Sequence, residues 1–239
     1  MRLHPACPDI SREHMAGILL AVLLILILLV YWQFILAEGT YLGRSIVAKL
    51  YDWTAGRYDR IKAYDVEMED ATLGRPLAAA LAHVPQPMVL DVATGTGRVP
   101  MSLLRQPAFR GMVVGLDLSA GMLAQARRNL AEHAGRAYLV QGDACRLPFP
   151  DAAFHAVTCC EALEFMPHPR AALTEMTRVL KPGGWLLFTN RIGWEARFLP
   201  GKVFPRRRVA SVLQDLPLEE VQEVVWEVNY DQVWARRRA

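Results

Sequence analysis

Short apolar runs alternate with segments of helical spacing along the second half of the chain. Each run has the length of a buried strand, and most are separated from the next by a helical pattern. Five runs are predicted to be strands: Val89–Asp91, Val113–Asp117, Tyr138–Gln141, Phe154–Cys160 and Trp185–Thr189. Strands that alternate with helices predict βαβ units, and therefore a parallel sheet with helices on its faces.

The clearest helical segment follows Ser119, which is a good N-cap residue. Its apolar residues recur at helical spacing: Met122, Leu123, Ala126 and Leu130. Three further helices are predicted: Leu77–Val84, Leu173–Leu180 and Val209–Leu216. The second of these is expected to stop at the Lys181-Pro-Gly-Gly184 turn. Near the C-terminus, Val221–Val228 and Asn229–Ala235 alternate like a terminal pair of strands.

A loop with two glycines follows the first predicted strand. Gly95 and Gly97 let the backbone approach a ligand closely, and a helix can begin just beyond them. A dinucleotide fingerprint would have Gly or Ala three residues after Gly97, whereas this chain has Pro100. Asp117 ends the second predicted strand, where an acid can accept both ribose hydroxyls of a nucleoside. The pattern therefore predicts a nucleoside-containing cofactor, and Pro100 disfavours a nicotinamide dinucleotide.

Five segments occur in the order of one enzyme family: Leu90–Gly97, Gly115–Ser119, Gln141–Ala144 with Leu147–Pro150, Arg178–Gly184 and Tyr230–Ala235. Through these segments the chain resembles the class I S-adenosylmethionine-dependent methyltransferases, in the group that includes quinone-biosynthesis enzymes. The resemblance implies an α/β, Rossmann-like sheet of seven mostly parallel strands, with a reversed terminal strand and helices on both faces. It also implies methyl transfer to a small-molecule or lipid, quinone-like acceptor. A nicotinamide-dependent oxidoreductase and a non-catalytic cofactor-binding scaffold are the alternatives.

The resemblance implies that S-adenosyl-L-methionine contacts a set of residues along these segments: Asp91, Ala93, Thr94, Gly95, Thr96, Gly97, Asp117, Leu118, Met122, Asp143, Ala144 and Glu161. Two positions depart from the common family pattern. Ala93 replaces the first glycine of the loop, a variant that is common in the quinone-type group. His155 stands where an acid is usual, and we interpret it as a tolerated structural change.

The position of a catalytic group is less constrained. A sulfonium methyl group is already electrophilic, so alignment and the exclusion of water can carry most of the catalysis. A base is needed only if the nucleophile is protonated at neutral pH, as in a phenol or a quinol. Glu161, Glu164 and His168 follow the fourth predicted strand, where open α/β sheets bind ligands. Glu161, nearest the strand end, is the first candidate, and packing or a surface role is the alternative for each.

One apolar segment precedes this pattern. Ala16–Leu36 carries no charge, and 15 of its 21 residues are Leu, Ile, Val or Phe. As a helix it would extend about 32 Å, enough to cross the hydrocarbon core of a bilayer. Tyr31 and Trp32 are placed as interfacial anchors. A cleaved signal peptide is the alternative, but its apolar region would be shorter, roughly 7–15 residues.

Four regions follow from these patterns: a short tail over 1–15, a transmembrane helix over 16–37, a connector with cap helices over 38–75, and a methyltransferase domain over 76–239. The connector holds three Tyr-Asp pairs: Tyr51-Asp52, Tyr58-Asp59 and Tyr64-Asp65. In the family that the chain resembles, N-terminal helices with such tyrosines close over the cofactor and the acceptor. A solvated amphipathic connector is the alternative.

Composition adds limits. The net charge of +3 is too small to indicate nucleic-acid binding, and no obligate protein partner is expected. The four cysteines show no paired metal or redox spacing, so no metal site is predicted. These features are typical of a reduced, cytosol-facing domain. Basic residues on both sides of the apolar segment fix its orientation poorly, and those that follow it only tip the balance towards a cytoplasmic domain. The stronger argument for the cytoplasmic side of a cell membrane is that S-adenosylmethionine is a cytosolic metabolite. The bilayer is the expected partner of residues 16–37.

Overall fold

The computed structural model describes residues 12–239. Most of the predicted 1–15 tail, with Cys7, lies outside the described residues. Residues 12–15 are already helical, since the first helix begins at Arg12.

Seven strands form one sheet in the order β3-β2-β1-β4-β5-β7-β6. The strands are β1 Met88–Val92, β2 Met112–Asp117, β3 Ala137–Gln141, β4 Phe154–Cys159, β5 Leu180–Arg191, β6 Leu218–Val225 and β7 Tyr230–Arg237. Strands β1 to β5 are mutually parallel, and β7 runs antiparallel to both of its neighbours. The predicted fold, with one reversed strand, is therefore confirmed.

Eight α-helices are described: α1 Arg12–Tyr31, α2 Arg44–Lys62, α3 Val66–Glu69, α4 Arg75–Ala80, α5 Arg98–Leu104, α6 Ala120–Asn129, α7 Pro169–Val179 and α8 Val209–Val212. A π-helical segment, Asp70–Gly74, joins α3 to α4. The predicted domain boundary between residues 75 and 76 thus falls inside one continuous helical segment.

Apolar side chains pack on both faces of the sheet. The core of one face includes Leu173 and Met176 of α7, and that of the other face includes Leu77 and Leu103, all four fully buried. Central strands with both faces covered read as continuous apolar runs, which explains why the sequence pattern located them well.

The Lys181-Pro-Gly-Gly184 segment differs from its prediction. It lies within β5 and does not form a turn that stops α7, which already ends at Val179. Phe154 pairs with Leu180, and Ala156 pairs with Trp185, so the four residues bulge out of the strand opposite one residue of β4. Gly183 has a φ of 73°, a left-handed conformation that glycine adopts without strain and that suits a bulge.

Other boundaries shift because their ends depend on tertiary contacts. The predicted helix Leu77–Val84 ends at Ala80, and residues 81–84 continue as tight turns towards Pro85. The helix predicted over Val209–Leu216 ends at Val212. The terminal strands begin at Leu218 and Tyr230, so each differs from its predicted start by one to three residues.

The apolar N-terminal segment is a helix that could cross a membrane. It extends over His14–Leu36, with a mean hydropathy of 2.9, and none of its apolar window is buried in the protein. Helix α1 continues as a π-helical segment, Trp32–Leu36. Its 23 residues would extend about 35 Å at the α-helical rise, which matches a hydrocarbon core. Length and composition alone support this interpretation.

Candidate active site

A cleft opens at the carboxyl ends of β1, β2 and β4, where the strand order reverses next to β1. About 780 Å³ of space, part of it open to solvent, lies in this cleft. Seven of the predicted cofactor residues line it: Ala93, Gly95, Asp117, Leu118, Asp143, Ala144 and Glu161. Residues that the sequence separates by 68 positions thus meet at one end of the sheet.

Gly95 leaves room for a ligand in this cleft. A Cβ atom built on it would have no heavy atom within 4 Å, and its φ is 54°. The neighbouring Ala93 adopts a similar φ of 55°. At Gly95 only the backbone borders the cleft, so a bulky ligand can approach the loop closely.

Asp117 ends β2 with its carboxylate at the edge of the cleft. Its Oδ2 accepts a hydrogen bond from the Gly95 backbone N–H at 2.8 Å, and its Oδ1 accepts one from the Ser119 N–H at 2.9 Å. Burial raises the pKa of Asp117 above its ordinary value, although the backbone donors lower it. A carboxylate has about four acceptor positions, so the backbone donors leave Asp117 able to accept from a ligand hydroxyl as well.

The far end of the cleft combines apolar and polar residues. Leu118, Ala144 and Met166 provide apolar surface. Asp143 accepts a hydrogen bond from the Cys145 N–H at 2.9 Å and forms an ion pair with Arg44 at the start of α2. This arrangement suits a flat heterocycle between apolar side chains with a polar edge.

The remaining predicted cofactor residues lie elsewhere. Asp91, Thr94 and Thr96 line a narrow space beside the cleft, with Ala93 and Gly95. Asp91 accepts a hydrogen bond from Thr158 Oγ1 at 2.6 Å, and burial raises its pKa to about 6. It supports the loop from beneath.

Gly97 and Met122 line neither space. A Cβ atom on Gly97 would lie 3.0 Å from Leu130, so this glycine lets the loop pack on α6. The Met122 side chain is buried in the protein at 1% exposure. A contact of either residue with the cofactor remains a prediction that their positions do not favour.

The three Tyr-Asp pairs divide their side chains between two tasks. Tyr51 and Tyr58 lie on α2 and line the cleft, with ring centroids 6.0 Å apart. The aspartates accept hydrogen bonds from neighbouring segments. Asp52 accepts from Ser119 and Gly121, and Asp59 accepts from Thr96 and Asn129. Asp65 is the N-cap of α3 and accepts from the Met68 N–H. Helix α2 therefore covers the cleft with Tyr51 and Tyr58, and the extent of the cap over 38–75 remains a prediction. The third pair lies beyond Lys62, where α2 ends.

Arg98 is at the centre of a buried network of ion pairs, which the sequence analysis did not predict. It donates to Glu69 at 2.5 and 2.6 Å, to Glu227 at 3.0 Å, and to Glu161. The Tyr64 ring lies 3.9 Å from its guanidinium carbon. Arg98 is the first residue of α5, where a positive charge interacts unfavourably with the helix dipole. This unfavourable position was the one indication in the sequence that Arg98 has acidic partners.

Glu161 lies just beyond β4, where the sequence placed it, with a φ of 50°. Its N–H donates to Thr189 Oγ1 at 2.6 Å, and its carboxylate pairs with Arg98 and with Lys62, the latter at 2.8 Å. Burial alone would raise the pKa of Glu161, but the two cations lower it below its ordinary value. Such a carboxylate is a weak base, which suits positioning better than the proposed catalytic role.

A second cleft adjoins the first and shares Tyr51, Tyr58, Glu161 and Phe165 with it. Its other lining residues are mostly polar: Glu38, Lys62, Arg191, Trp226, Glu227, Val228, Asn229 and Tyr230. A ligand in the second cleft would therefore face a ligand in the first across the Glu161 region. Adjoining sites of this kind are one requirement for transfer of a group between two molecules.

Glu164 lies behind the wall of the second cleft. It is 1% exposed and accepts a hydrogen bond from the Tyr230 hydroxyl at 2.6 Å. Burial raises the pKa of Glu164 to about 7, which matches a base that works at neutral pH. Tyr230 connects this carboxylate to the cleft, so the pair is a better-placed proton acceptor than Glu161.

Neither of the two histidines of interest lines a cleft. His168 is exposed and precedes α7. His155 Nδ1 accepts a hydrogen bond at 3.0 Å from the N–H of Met88, the first residue of β1. Its Nε2 lies 2.9 Å from the Nζ of Lys181 in β5. These contacts agree with a structural role for His155.

Comparison with known proteins agrees with this geometry. Residues 89–184 match the family model described as a methyltransferase domain. This part of the chain is a methyltransferase domain. The domain includes the glycine loop, Asp117, Asp143 and Glu161, and it ends at the bulge in β5.

Curated relatives of this chain include two demethylmenaquinone methyltransferases. The protein of Parafrankia sp. (strain EAN1pec) is 38% identical over 156 residues, covering 59% of this chain and 60% of the relative. The protein of Deinococcus radiodurans is 37% identical over 142 residues, covering 59% and 58%. The chain thus spans about 60% of the length of these relatives.

Solved structures share the fold of the methyltransferase domain. The [4+2]-cyclase SpnF aligns with a TM-score of 0.63 at 20% identity, over 82% of this chain and 97% of the cyclase. A putative methyltransferase from Bacillus halodurans C-125 aligns with a TM-score of 0.54 at 23% identity, over 70% and 100%. Since one neighbour is a cyclase, these likenesses show the fold and leave the reaction to be argued from the site.

Proposed function

We propose that this chain is a membrane-anchored S-adenosylmethionine-dependent methyltransferase that acts on a quinone-like lipid acceptor. The observation that carries the proposal is the pair of adjoining clefts, one built for a nucleoside and the other polar and next to the apolar helix. The methyltransferase domain and the named activity of the relatives support the reaction class. The nicotinamide oxidoreductase finds no comparable support.

The first cleft fits S-adenosylmethionine in three respects. The open space at Gly95 admits the amino-acid part, Asp117 has acceptor positions left for the ribose hydroxyls, and Leu118 with Ala144 provides apolar surface for the adenine. When bound, the cofactor supplies an electrophilic methyl group. The covering helix α2 would exclude water from it, and proximity to the acceptor would then account for most of the rate.

Glu38 supports a membrane-resident acceptor. It lines the second cleft, yet it lies only two residues beyond Leu36, the last residue of the candidate span. The second cleft therefore lies directly beside the end of the apolar helix. An acceptor with a polar ring and an apolar tail could place its ring in this cleft while its tail stays in the bilayer.

The Tyr230–Glu164 pair would accept the proton that such an acceptor loses. A quinol is largely protonated at neutral pH, so its oxygen or ring carbon becomes a good nucleophile only when a base removes a proton. The acceptor's proton would pass to the Tyr230 oxygen as the Tyr230 proton moves to Glu164. Arg98 and Lys62 hold Glu161 between the two clefts, where it positions the reacting groups.

We further infer that the domain faces the cytoplasm. Arg44 and Lys49 follow the apolar helix closely and are balanced by Arg2 and Arg12 before it, so it is the more distant Arg57, Arg60 and Lys62 that tip the charge towards a cytoplasmic domain. S-adenosylmethionine is a cytosolic metabolite, which agrees with this orientation.

The acceptor class is tested with the full-length protein in liposomes and a labelled methyl donor. We expect a quinol with an isoprenoid tail to be methylated much faster than its tail-less, water-soluble analogue, because only the tailed form is concentrated beside the second cleft. Mass spectrometry of the extracted lipids measures the product. Equal rates for the two acceptors would contradict a membrane-resident substrate.

The proton acceptor is tested by Glu164→Gln. In the wild type, the rate should rise as the pH rises through about 7, because the ionised form of Glu164 is the active one. The variant should lose about 100-fold or more in kcat together with this pH dependence. A pH–rate profile that is unchanged in the variant would remove Glu164 from the reaction.

A stability measurement gives Glu164 an independent readout. Because its pKa in the folded protein is raised from 4.5 to about 7, stability is lost as the pH rises through this window. Glu164→Gln should therefore gain about 2–3 kcal/mol relative to the wild type between about pH 5 and pH 8. The exposed Glu132→Gln variant serves as the control and should show no such gain.

A further inference from the structure

The end of the apolar helix is joined to the domain by a packed junction. The Trp32 Nε1–H donates to the Phe198 carbonyl at 2.9 Å, and the Tyr41 hydroxyl donates to the Pro200 carbonyl at 3.0 Å. The Trp32 and Tyr41 rings stack at 5.2 Å. Between them, Ala37 is 0% and Thr40 3% exposed. These contacts fix the direction of the helix relative to the domain.

The partner of this junction is an exposed segment after β5, residues 194–200, which we name the aromatic loop. Trp194 is 59% and Phe198 43% exposed, and their rings pack edge to face at 5.7 Å. Arg197 is exposed beside them, and the fully buried Leu199 anchors the loop in the domain. Large aromatic side chains exposed together on a soluble surface mark an interaction site.

The position along the helix indicates what this site meets. Trp32 lies four residues before Leu36, so the aromatic loop touches the helix about 6 Å before the apolar segment ends. Phe34 and Ile35, in the same part of the helix, are 41% and 60% exposed. If the helix spans a bilayer, the loop lies at the depth of the lipid headgroups, where Trp side chains are enriched.

We propose that the aromatic loop docks into the headgroup region of the bilayer, with Trp194 and Phe198 inserted and Arg197 beside anionic lipids. This inference rests on the proposed membrane anchoring. The docking would turn the anchor from a simple tether into a fixed orientation, because the helix and the aromatic loop would then hold the domain at two points. Arg191, at the end of β5, and Glu38 both line the second cleft. The fixed orientation keeps that cleft at the membrane surface.

The test uses full-length protein in vesicles of phosphatidylcholine and anionic phosphatidylglycerol, whose acyl chains are brominated near the glycerol. Bromine quenches only the indoles that enter the bilayer. We expect Trp32 and Trp194 to be quenched in the wild type, so Trp194→Ala should lose roughly half of the quenchable fluorescence. In the control, Tyr138→Trp adds an indole at an exposed position on edge strand β3, and that indole should stay unquenched.

An unchanged quenchable fluorescence in Trp194→Ala would overturn the docking while leaving the anchor intact, since Trp32 would still be quenched. If no indole is quenched and the protein separates from the vesicles on flotation, the anchor itself fails and the docking with it. An unquenched Trp194 whose emission maximum shifts with the protein-to-lipid ratio would mean that a second copy of the chain covers the loop, which also overturns the proposal.

Discussion

Replacing Arg98 by methionine is expected to lower the free energy of unfolding by about 3–5 kcal/mol. Arg98 is 8% exposed and pairs with Glu69, Glu161 and Glu227, so its removal leaves the buried carboxylates of Glu69 and Glu161 without their main cation. The energy comes mainly from these uncompensated charges and less from the lost attraction. Thermal or urea unfolding of the full-length protein in detergent measures it.

The matched control is Arg75→Met. Arg75 pairs with Glu67 on the surface, with 55% and 87% of the two side chains exposed, and such pairs contribute about 0–1 kcal/mol. An equally small loss of unfolding free energy in both variants would contradict this account. It would mean that the Arg98 network does not hold α2, the glycine loop and the β6–β7 hairpin together.

Replacing Asp117 by alanine is expected to weaken S-adenosylmethionine binding by about ten- to a hundredfold. The lost hydrogen bonds to a charged acceptor account for about 1.5–3 kcal/mol. Gly95→Val should be worse, because its side chain would occupy the open space in front of the loop and strain a backbone with a φ of 54°. Calorimetric titration of the cofactor measures both variants.

Asp151→Ala is the control for cofactor binding. Its carboxylate is 74% exposed and pairs with Arg178 away from the cleft, so the affinity should not change. The melting temperature of each variant separates loss of binding from loss of fold, because Asp117 also accepts the Gly95 N–H. Unchanged affinity in Asp117→Ala would remove the assignment of the first cleft to this cofactor.

The features that the sequence predicted well are local. The glycine loop, Asp117 at the end of β2 and the N-cap Ser119 are each set by neighbours in the chain, and the structure places them as expected. The buried central strands were equally clear because their apolar runs need no partner to be recognised.

The features that were missed depend on distant partners. Arg98 meets its carboxylates across 29, 63 and 129 residues, and Glu164 meets Tyr230 across 66. No local pattern records such pairings, so Glu161 was preferred to Glu164 on its position in the chain alone. For the same reason the bulge at 181–184 was taken as a helix stop, since only the pairing with β4 distinguishes the two.

The connector over 38–75 shows which contacts residue spacing can predict and which it cannot. The spacing of the Tyr-Asp pairs is nearly helical, but only the family resemblance implied a cover, and a solvated connector was an equal alternative. Neither indicated that the aspartates bind α6 and the glycine loop. The junction of Trp32 and Tyr41 with the aromatic loop had no signal in the sequence, because both donors meet backbone carbonyls more than 150 residues away.

The most direct test of the account is methyl transfer itself. Wild-type protein and Asp117→Ala are reconstituted in liposomes that contain a tailed quinol, with S-adenosylmethionine labelled in its methyl group at a concentration below its Kd for the wild type. We expect labelled methylated quinol to form with the wild type and about ten- to a hundredfold more slowly with the variant. Cofactor binding without label in any quinol, or equal rates for both proteins, would contradict the account.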